Sequence, residues 1–416
     1  MQGSSYILLP ELCLSGYGCQ DHFLEIDTCI HSWDCINEIL PHTKPEQSLS
    51  DILIDVGMPV IHKDVIYNCR IILMNGSILL IRPKLVLANG GLHRESRWFT
   101  PWSDFYYLDQ FTLPLSTQQI QNGCQKTVPF GNAIIKLKPA NIVIGFETCE
   151  ELWSTKPPHI TLFLNGAHIV ANASASHHEL RKFSRRIRLV ENASSQGLYM
   201  YSNLRGSDSE RICYDGGALI ALAGKIINCS RQFSYNDVEV ISTDLDLSQL
   251  ESMRISNKTF GLTASALHSE SKLQTIEVPF NLMQARRSKQ VANKLTLLSP
   301  MEEIAQGPGL WLWDHLRRSN QSGFFLCLSG GIDSCSVALI IFNMCKQLLK
   351  SVNEEKHENT KTSLQRILRS EKIPESPQEL CQKLLVTCYM GTKNNSNNTL
   401  QIAKNIAAGI GSEHHE

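Results

Sequence analysis

A glutamate at position 11, a lysine at 84 and a cysteine at 149 each close a short apolar run, "YILLPE", "ILLIRPK" and "NIVIGFETC". A thiol attacks an amide carbon only as thiolate, so it needs a cation and a base at hand. Lys84 would supply the cation and help hold the tetrahedral oxyanion. Glu11 would take the thiol proton and later activate water. The plain alternative for three isolated residues of these types is two surface charges and a core thiol. A fourth run, "FFLCLSGG", opens into "LSGGIDS" at residues 328–334. Two glycines let backbone N–H groups approach an anion, and a following helix offers its positive N-terminus. Ser329 and Ser334 add hydroxyls, while Asp333 would repel phosphate unless it holds Mg²⁺ or orients the loop. The loop lacks the Gly-Lys-Ser/Thr ending of a γ-phosphate binder. Its plain alternative is a glycine turn capping a helix.

The elements that must position these groups are legible. Each run has the length and branching of a buried strand, and helical spacing follows several of them. Ligand sites in α/β sheets gather at the carboxyl ends of strands, so three such ends can converge on one pocket. "FETCEELW" sets Cys149 where a strand turns into a helix, whose N-terminal dipole favours a negative sulfur. Residues 1–270 are strand-rich, and 271–300 read as a connector of mixed charge. From 301 a helix follows the N-cap candidate Ser299, then the strand of the phosphate loop, then "SCSVALIIFNMCKQLLKSV" with helical spacing. Residues 353–376 read as a charged loop, "LLVTCYMG" as a strand and "TLQIAKNIAAGIG" as a helix. That order, β-α-insert-β-α, is the opening of a Rossmann-like domain. "KNNSNNT" reads as a polar turn.

Bulk properties narrow the class. A chain of 416 residues with 42% apolar and 19% charged residues builds ordinary cores, in two or three domains. A net charge of −1 recruits neither nucleic acid nor an anionic membrane. No apolar run reaches the roughly 18 residues of a spanning helix. The start has no basic region and Glu11 interrupts its apolar stretch, so no signal peptide is expected. Fourteen scattered cysteines without a C-x-x-C pair read as reduced thiols, in a cytoplasmic protein with no metal site. "HHELRKFSRRIRL" reads as a solvated or subunit-facing helix rather than an RNA contact. His177 and His178, being adjacent, point apart and make poor joint ligands. The tryptophans of "LWLWDHL" read as core or domain-interface anchors.

"PELCLSGYGCQDHF", "IRPKLVLANGGLHRESRWFTPW", "CEELW" and "NASASHHELRK", followed downstream by "LSGGIDS", together resemble the glutamine-dependent NAD⁺ synthetase family. Its amidase domain is of nitrilase type, and its second domain is an ATP pyrophosphatase. The resemblance implies a nitrilase-like αββα sandwich followed by the start of a Rossmann-like ATP-pyrophosphatase domain. It implies Glu11 as general base, Lys84 as second catalytic residue, Cys149 as nucleophile and Glu95 as supporting carboxylate. Phe99 and Trp102 would wall the pocket, and Ser176 with Arg181 or Lys182 would grip the glutamine carboxylate. Cys327, Leu328, Ser329, Gly330, Gly331, Ile332, Asp333 and Ser334 would bind ATP. The implied reaction adenylylates the carboxylate of nicotinic acid adenine dinucleotide with ATP and Mg²⁺, and ammonia from glutamine displaces AMP. No prosthetic group is implied, and a homo-oligomer is.

Two departures accompany the resemblance. The family opens with a strand and helix before the Glu11 block and continues well past the last helix read here, so truncation at both ends is expected. "NGG" at 89–91 stands where the family pattern has an acidic residue in the middle. A truncated chain would keep the glutaminase chemistry but would not make NAD⁺ alone. A stand-alone amidase, or an inactive scaffold, are the competing readings.

Overall fold

The computed structural model describes residues 3–207, 212–280, 292–392 and 396–416. Residues 281–291 of the expected connector and 393–395 of the polar turn lie outside the described residues.

Near-continuous apolar runs, buried on both faces, build two sheets. The first holds β1 (Tyr6–Leu8), β2 (Leu53–His62), β3 (Val65–Met74), β4 (Ser77–Pro83), β5 (Leu108–Thr112) and β6 (Thr127–Gly131), in the order β1-β2-β3-β4-β6-β5. The second holds β7 (Ala133–Lys138), β8 (Ile142–Thr148), β9 (Ile169–Ser174) and β10 (Leu198–Asn203). After a hairpin of β11 (Arg205–Ser207) and β12 (Cys213–Asp215), it is completed by β13 (Leu219–Leu222), β14 (Lys225–Cys229) and β15 (Gln274–Pro279). Leu53, Ile72, Met74 and Leu80 of one sheet meet Ile135, Ile144, Phe146 and Ile220 of the other in a shared core. Helix α1 (Ile26–Thr43), with α2 (Leu115–Ile120) beside it, covers the outer face of the first sheet, where Trp33, Ile36 and Leu40 pack on Val56 and Met58. The outer face of the second carries α3 (Pro158–Leu164) and α4 (Lys182–Ala193), with α5 (Leu247–Ser256) and α6 (Lys258–Ser265) alongside. This is the αββα sandwich expected. Buried Arg70 of β3 ties the layers by pairing with Asp55 and donating to the carbonyls of Glu147 and Ala171.

Residues 274–279, expected in the connector, instead form β15, in register with β7. The run leading to Glu11 forms β1 at the rim of the first sheet, paired in parallel with β2.

Helix α7 (Pro300–Arg318) starts at the expected cap, where Ser299 and Glu302 satisfy each other's backbone N–H groups. Three parallel strands follow in the order β16 (Phe324–Cys327), β17 (Leu385–Cys388) and β18 (Glu413–His415). Helices α8 (Ile332–Asn353), α9 (Glu358–Leu368), α10 (Pro377–Leu384) and α11 (Asn397–Ile410) pack around them. The expected charged loop is in part α9. Its Leu364 and Ile367 lie one turn apart and bury in this core, while the charges that disguised it face out. By length and composition α8 is apolar enough to cross a bilayer, contrary to the sequence reading; here Ala338, Ile341, Met344 and Leu348 pack into the second core. Trp313 is buried there as expected.

Helix α7 grips the sandwich. Asp314 accepts from Ser207 N at 2.7 Å, so close to the hairpin that a Cβ on Gly206 (φ +97°) would sit 2.2 Å from its carboxylate. Only glycine fits there.

Candidate active site

The ends of β1, β4, β8 and β9 meet at one place, where Glu11 joins Lys84 and Glu95 from 73 positions before Lys84. Glu11, Lys84 and Glu95 are at most 1% exposed. Lys84 Nζ donates to Glu11 Oε1 and to Glu95 Oε1, each at 2.7 Å. Glu11 is completed by Asn68 Nδ2 at 2.8 Å and by Ala175 N at 3.0 Å. Glu95 accepts from Ala88 N at 2.8 Å and from Tyr17 OH at 2.6 Å. One ammonium is thus shared by two carboxylates out of water. Burial raises the Glu11 carboxyl from 4.5 to about 7, with Glu95 adding to the rise and Lys84 opposing it. Burial disfavours the Lys84 charge, but Glu11 and Glu95 outweigh it and hold the ammonium protonated well above its ordinary range.

Cys149 follows β8 in a left-handed backbone conformation, φ 42°, rare for a side chain with Cβ. The turn is over-determined. Cys149 N donates to Asn172 Oδ1 at 2.9 Å, and Ser174 Oγ holds the same oxygen at 2.7 Å. Glu151 Oε2 accepts from Thr148 N at 2.8 Å at the start of the single turn Cys149–Trp153, the carboxylate half of a capping box. Glu151 in turn accepts from buried Arg82 and from Leu85 N, both at 2.6 Å, so the turn of Cys149 is fastened to the strand end that carries Lys84. Burial first and Glu11 next push the thiol well above its ordinary range, against the pull of Lys84. The sequence reading gave the sulfur a negative charge held by Lys84 and a helix dipole. Two carboxylates facing one ammonium oppose that charge, so the weight falls on Glu11 as the acceptor of the thiol proton, the part the sequence reading also gave it. A thiol so placed holds its proton more tightly than a free cysteine.

Cys149 lines a cavity of about 530 Å³ with Glu150, Trp153, Ser176, Lys182 and His93. A larger one, about 660 Å³ and mostly apolar, lies near Tyr6 and Phe280 and shares no lining residue with it. The cavity wall presents both signs, Glu150 against Lys182 and Arg185. Ser176 is fixed by Asn203 Oδ1 on its N–H at 2.8 Å. Lys182 Nζ sits 5.6 Å from the centre of the Trp153 ring.

Two residues named for this pocket belong elsewhere. Phe99 is 4% exposed and packs on Phe23, ring centres 4.8 Å apart, behind the cavity. Trp102 likewise packs on Tyr67 and Phe130. Arg181 reaches the rim but is spent on α7, where Glu303 Oε1 lies 2.8 Å away and Leu298 O accepts too. Nor is the basic stretch 177–189 simply solvated. Arg186 is buried and paired with Asp215 at 2.8 Å. His177 faces the cavity while His178 packs edge-on to Phe233, so adjacent histidines do diverge.

The phosphate-loop candidates sit apart, between β16 and α8. Gly330 has φ +76°, and a Cβ there would meet the Thr399 carbonyl at 2.1 Å. The loop therefore lies against the first turn of α11 as well as that of α8. Ser329 Oγ and Ser334 Oγ are 3.1 Å apart, and Gly331 N donates to Ser329 Oγ at 3.3 Å. Ile332 and Asp333 are exposed, as is Cys327. Leu328 is a correction: its side chain is fully buried in the second core and its N–H goes to Cys388 O, so its side chain offers a ligand nothing. Among the described residues, no cluster of three His, Cys, Asp or Glu is arranged for a metal ion.

Sequence reasoning missed Asn68, Tyr17, Asn172 and the Arg82–Glu151 pair. Only Glu151 had a local signal, the Thr-x-x-Glu spacing of a capping box.

Residues 1–255 match the model of the carbon–nitrogen hydrolase family. A glutamine-dependent NAD⁺ synthetase of Saccharomyces cerevisiae is 44% identical over 413 residues, 97% of this chain and 57% of that protein. One from Homo sapiens is 43% identical over 423 residues, 99% of this chain and 58% of that protein. A crystal structure of a glutamine-dependent NAD⁺ synthetase from Cytophaga hutchinsonii superposes with a TM-score of 0.74 at 26% identity, covering all of this chain and 59% of that one. The chain thus spans a little under three-fifths of the length of each relative. The site geometry and the family match agree on one conclusion: this chain belongs to the carbon–nitrogen hydrolase family.

Proposed function

We propose that the chain supplies the glutamine-hydrolysing half of a glutamine-dependent NAD⁺ synthetase, together with the beginning of its ATP-binding half. The observation that carries this reading is the buried Lys84 bridging Glu11 and Glu95 beneath a cavity lined by Cys149. Glu11 takes the thiol proton as sulfur attacks the amide carbon, returns it to the leaving nitrogen, and then takes a proton from water. Lys84 sits where negative charge develops on the tetrahedral oxygen. Glu150 of one sign and Lys182 of the other suit the two charged ends of an α-amino acid, with Ser176 beside them. Arg181, committed to Glu303, is left out of this role.

The sandwich up to β15 would be the amidase and the part from residue 301 the ATP-binding start. There Ser329, Ser334 and the N–H groups around Gly330 and Gly331 suit phosphate, at the N-termini of α8 and α11. Asp333 would help hold Mg²⁺, which would neutralise phosphate charge. Ammonia would then displace AMP from the adenylylated carboxylate of nicotinic acid adenine dinucleotide. A cytoplasmic homo-oligomer accords with the resemblance. Purified protein is expected to release glutamate from glutamine, and Cys149→Ala to abolish this. A rate indifferent to Cys149→Ala would overturn the reading. Turnover that responds to ATP and the dinucleotide acid marks the synthetase; indifference to both marks a stand-alone amidase.

A further inference from the structure

If ammonia leaves as the neutral nucleophile a distant acceptor requires, glutamine hydrolysis leaves a proton behind: R–CO–NH₂ + H₂O gives R–COO⁻, NH₃ and H⁺. The bonds formed and broken fix where it appears. The S–C bond forms as the thiol proton passes to Glu11, and C–N breaks as Glu11 returns it to nitrogen. Water then adds to the thioester and gives one proton to Glu11. The C–S bond breaks and sulfur regains its proton from Glu11. The new carboxylic acid ionises, leaving Glu11 protonated. Glu11 is 1% exposed, so while product fills the cavity its proton needs a route other than direct contact with bulk water.

A line of polar atoms, each within hydrogen-bonding distance of the next, runs from it to the surface. Lys84 Nζ bridges Glu11 and Glu95 at 2.7 Å each. Tyr17 OH lies 2.6 Å from Glu95 Oε1 and 3.1 Å from His93 Nδ1. His93 Nε2 lies 2.8 Å from His177 Nδ1, and His177 Nε2 lies 2.8 Å from Glu179 Oε1. Glu179 is 58% exposed at the cavity rim. Counting hydrogens decides what this line can do. Between Glu95 and Glu179 there are four hydrogen bonds. With ionised carboxylates and neutral histidines, the tyrosine and the two imidazoles supply only three hydrogens. One link is always empty, and one proton arriving on Glu95 fills it.

We propose that Tyr17, His93, His177 and Glu179 form a proton exit for the amidase site, with the two histidines passing the proton between them. This rests on the proposed glutamine hydrolysis. Lys84 gives a proton to Glu95 as Glu11 restores it. Tyr17, its hydroxyl hydrogen turned from Glu95 to His93, then takes that proton on oxygen and hands its own to His93 Nδ1. His93 passes one from Nε2 to His177, and Glu179 releases one to water. The line does not trap its cargo. Burial, then the neighbouring His177, Lys84 and Lys182, lower His93 to about 3, and burial and Lys182 also lower His177 while Glu179 and Asp215 pull it up. Lys182 Nζ, 3.4 Å from His177 Nδ1, is a competing donor to that nitrogen. None of His93, His177 or Glu179 touches the reacting atoms in this scheme. They act through Tyr17 and Glu95.

The test measures glutamine hydrolysis by the purified protein in dilute buffer, with imidazole added as a proton carrier. His93→Phe keeps the ring and removes the proton sites. It is expected to lower kcat about ten-fold with KM unchanged, and millimolar imidazole should restore the rate. Glu179→Gln, at the exposed end where the fold is not at stake, is expected to give a smaller loss of about three-fold with the same rescue. Wild-type rates should not respond to imidazole. Active wild type with His93→Phe within two-fold of it, or a loss that imidazole does not relieve, overturns the exit alone. Wild type that hydrolyses no glutamine overturns both readings, since there is then no proton to carry.

Discussion

The amidase site and the phosphate loop are built on opposite plans. Glu11, Lys84 and Cys149 are spread over more than a hundred positions, fully buried, and brought together by both sheets. Residues 327–334 are contiguous, mostly exposed, and shaped by one strand–loop–helix turn. Burial is what gives the first site its chemistry. Out of water, one ammonium between two carboxylates shifts protons that exposed groups would keep. The loop needs no such environment, since backbone N–H groups and helix ends are charged wherever they stand. The comparison predicts that damage to the two sites should separate cleanly.

The largest separation is expected from Cys149→Ala. Removing the thiol proposed as nucleophile should cut glutamine hydrolysis by about 10⁴-fold or more, because no neighbour can replace the covalent step. Nucleotide binding at the loop, followed by equilibrium titration with ATP, should be unaffected. A comparable loss of ATP binding would mean the two plans are not independent.

Lys84→Met comes next and sharpens the contrast. It leaves Glu11 and Glu95 facing each other in a buried site with no cation. The expected outcome is a loss of about 10³-fold in kcat/KM and of roughly 3–5 kcal/mol in stability, read by denaturant unfolding. An equivalent charge change at Asp333, which is exposed, should move stability by less than about 0.5 kcal/mol.

The same difference governs what the sequence disclosed. The loop was readable because its information is local: two glycines, two hydroxyls and a strand before a helix. Glu11, Lys84 and Cys149 were readable for a related reason, each standing at the end of an apolar run. Their supports were not. Asn68 lies mid-strand in β3, and nothing nearby in the chain says that its amide meets Glu11 from 57 positions away. Residue type also withholds direction. Arg181 and Lys182 are equally plausible carboxylate ligands on paper, yet only packing against Glu303 turns the first away. Strand β15 escaped notice because it joins β7 from 141 positions downstream, a pairing that only tertiary structure specifies. Helix α9 was masked by charges that occupy its outer face.

A backbone change at the loop should show the contrast from the other side. Gly330→Ala puts a methyl 2.1 Å from the Thr399 carbonyl at a positive φ. The loop and the first turn of α11 must then part, at a cost of about 2–3 kcal/mol to the second core. ATP binding should fall below detection in the same titration, while glutamine hydrolysis should stay within about two-fold of wild type. A larger loss of glutaminase activity would show that α7, through Asp314 and Glu303, transmits strain from one plan to the other.

The smallest effect is a shift along the pH axis. In the proposed reaction Glu11 must be ionised to accept the thiol proton, and burial raises its carboxyl to about 7. The rate of glutamine hydrolysis should therefore climb as pH rises from about 6 to 8. Glu11's own contribution to stability runs the other way. Its folded value lies above the ordinary 4.5, so the folded state holds the proton more tightly, and that contribution is present below about 4.5 and lost as pH rises through about 7. Asn68 donates to the ionised form and keeps the value from going higher. Asn68→Ala should therefore move the acid limb of the rate profile upward by roughly half a unit to one unit, with the plateau at high pH little changed. A downward shift would mean that Asn68 serves the protonated carboxyl instead, and that burial is not what sets the working pH of this site.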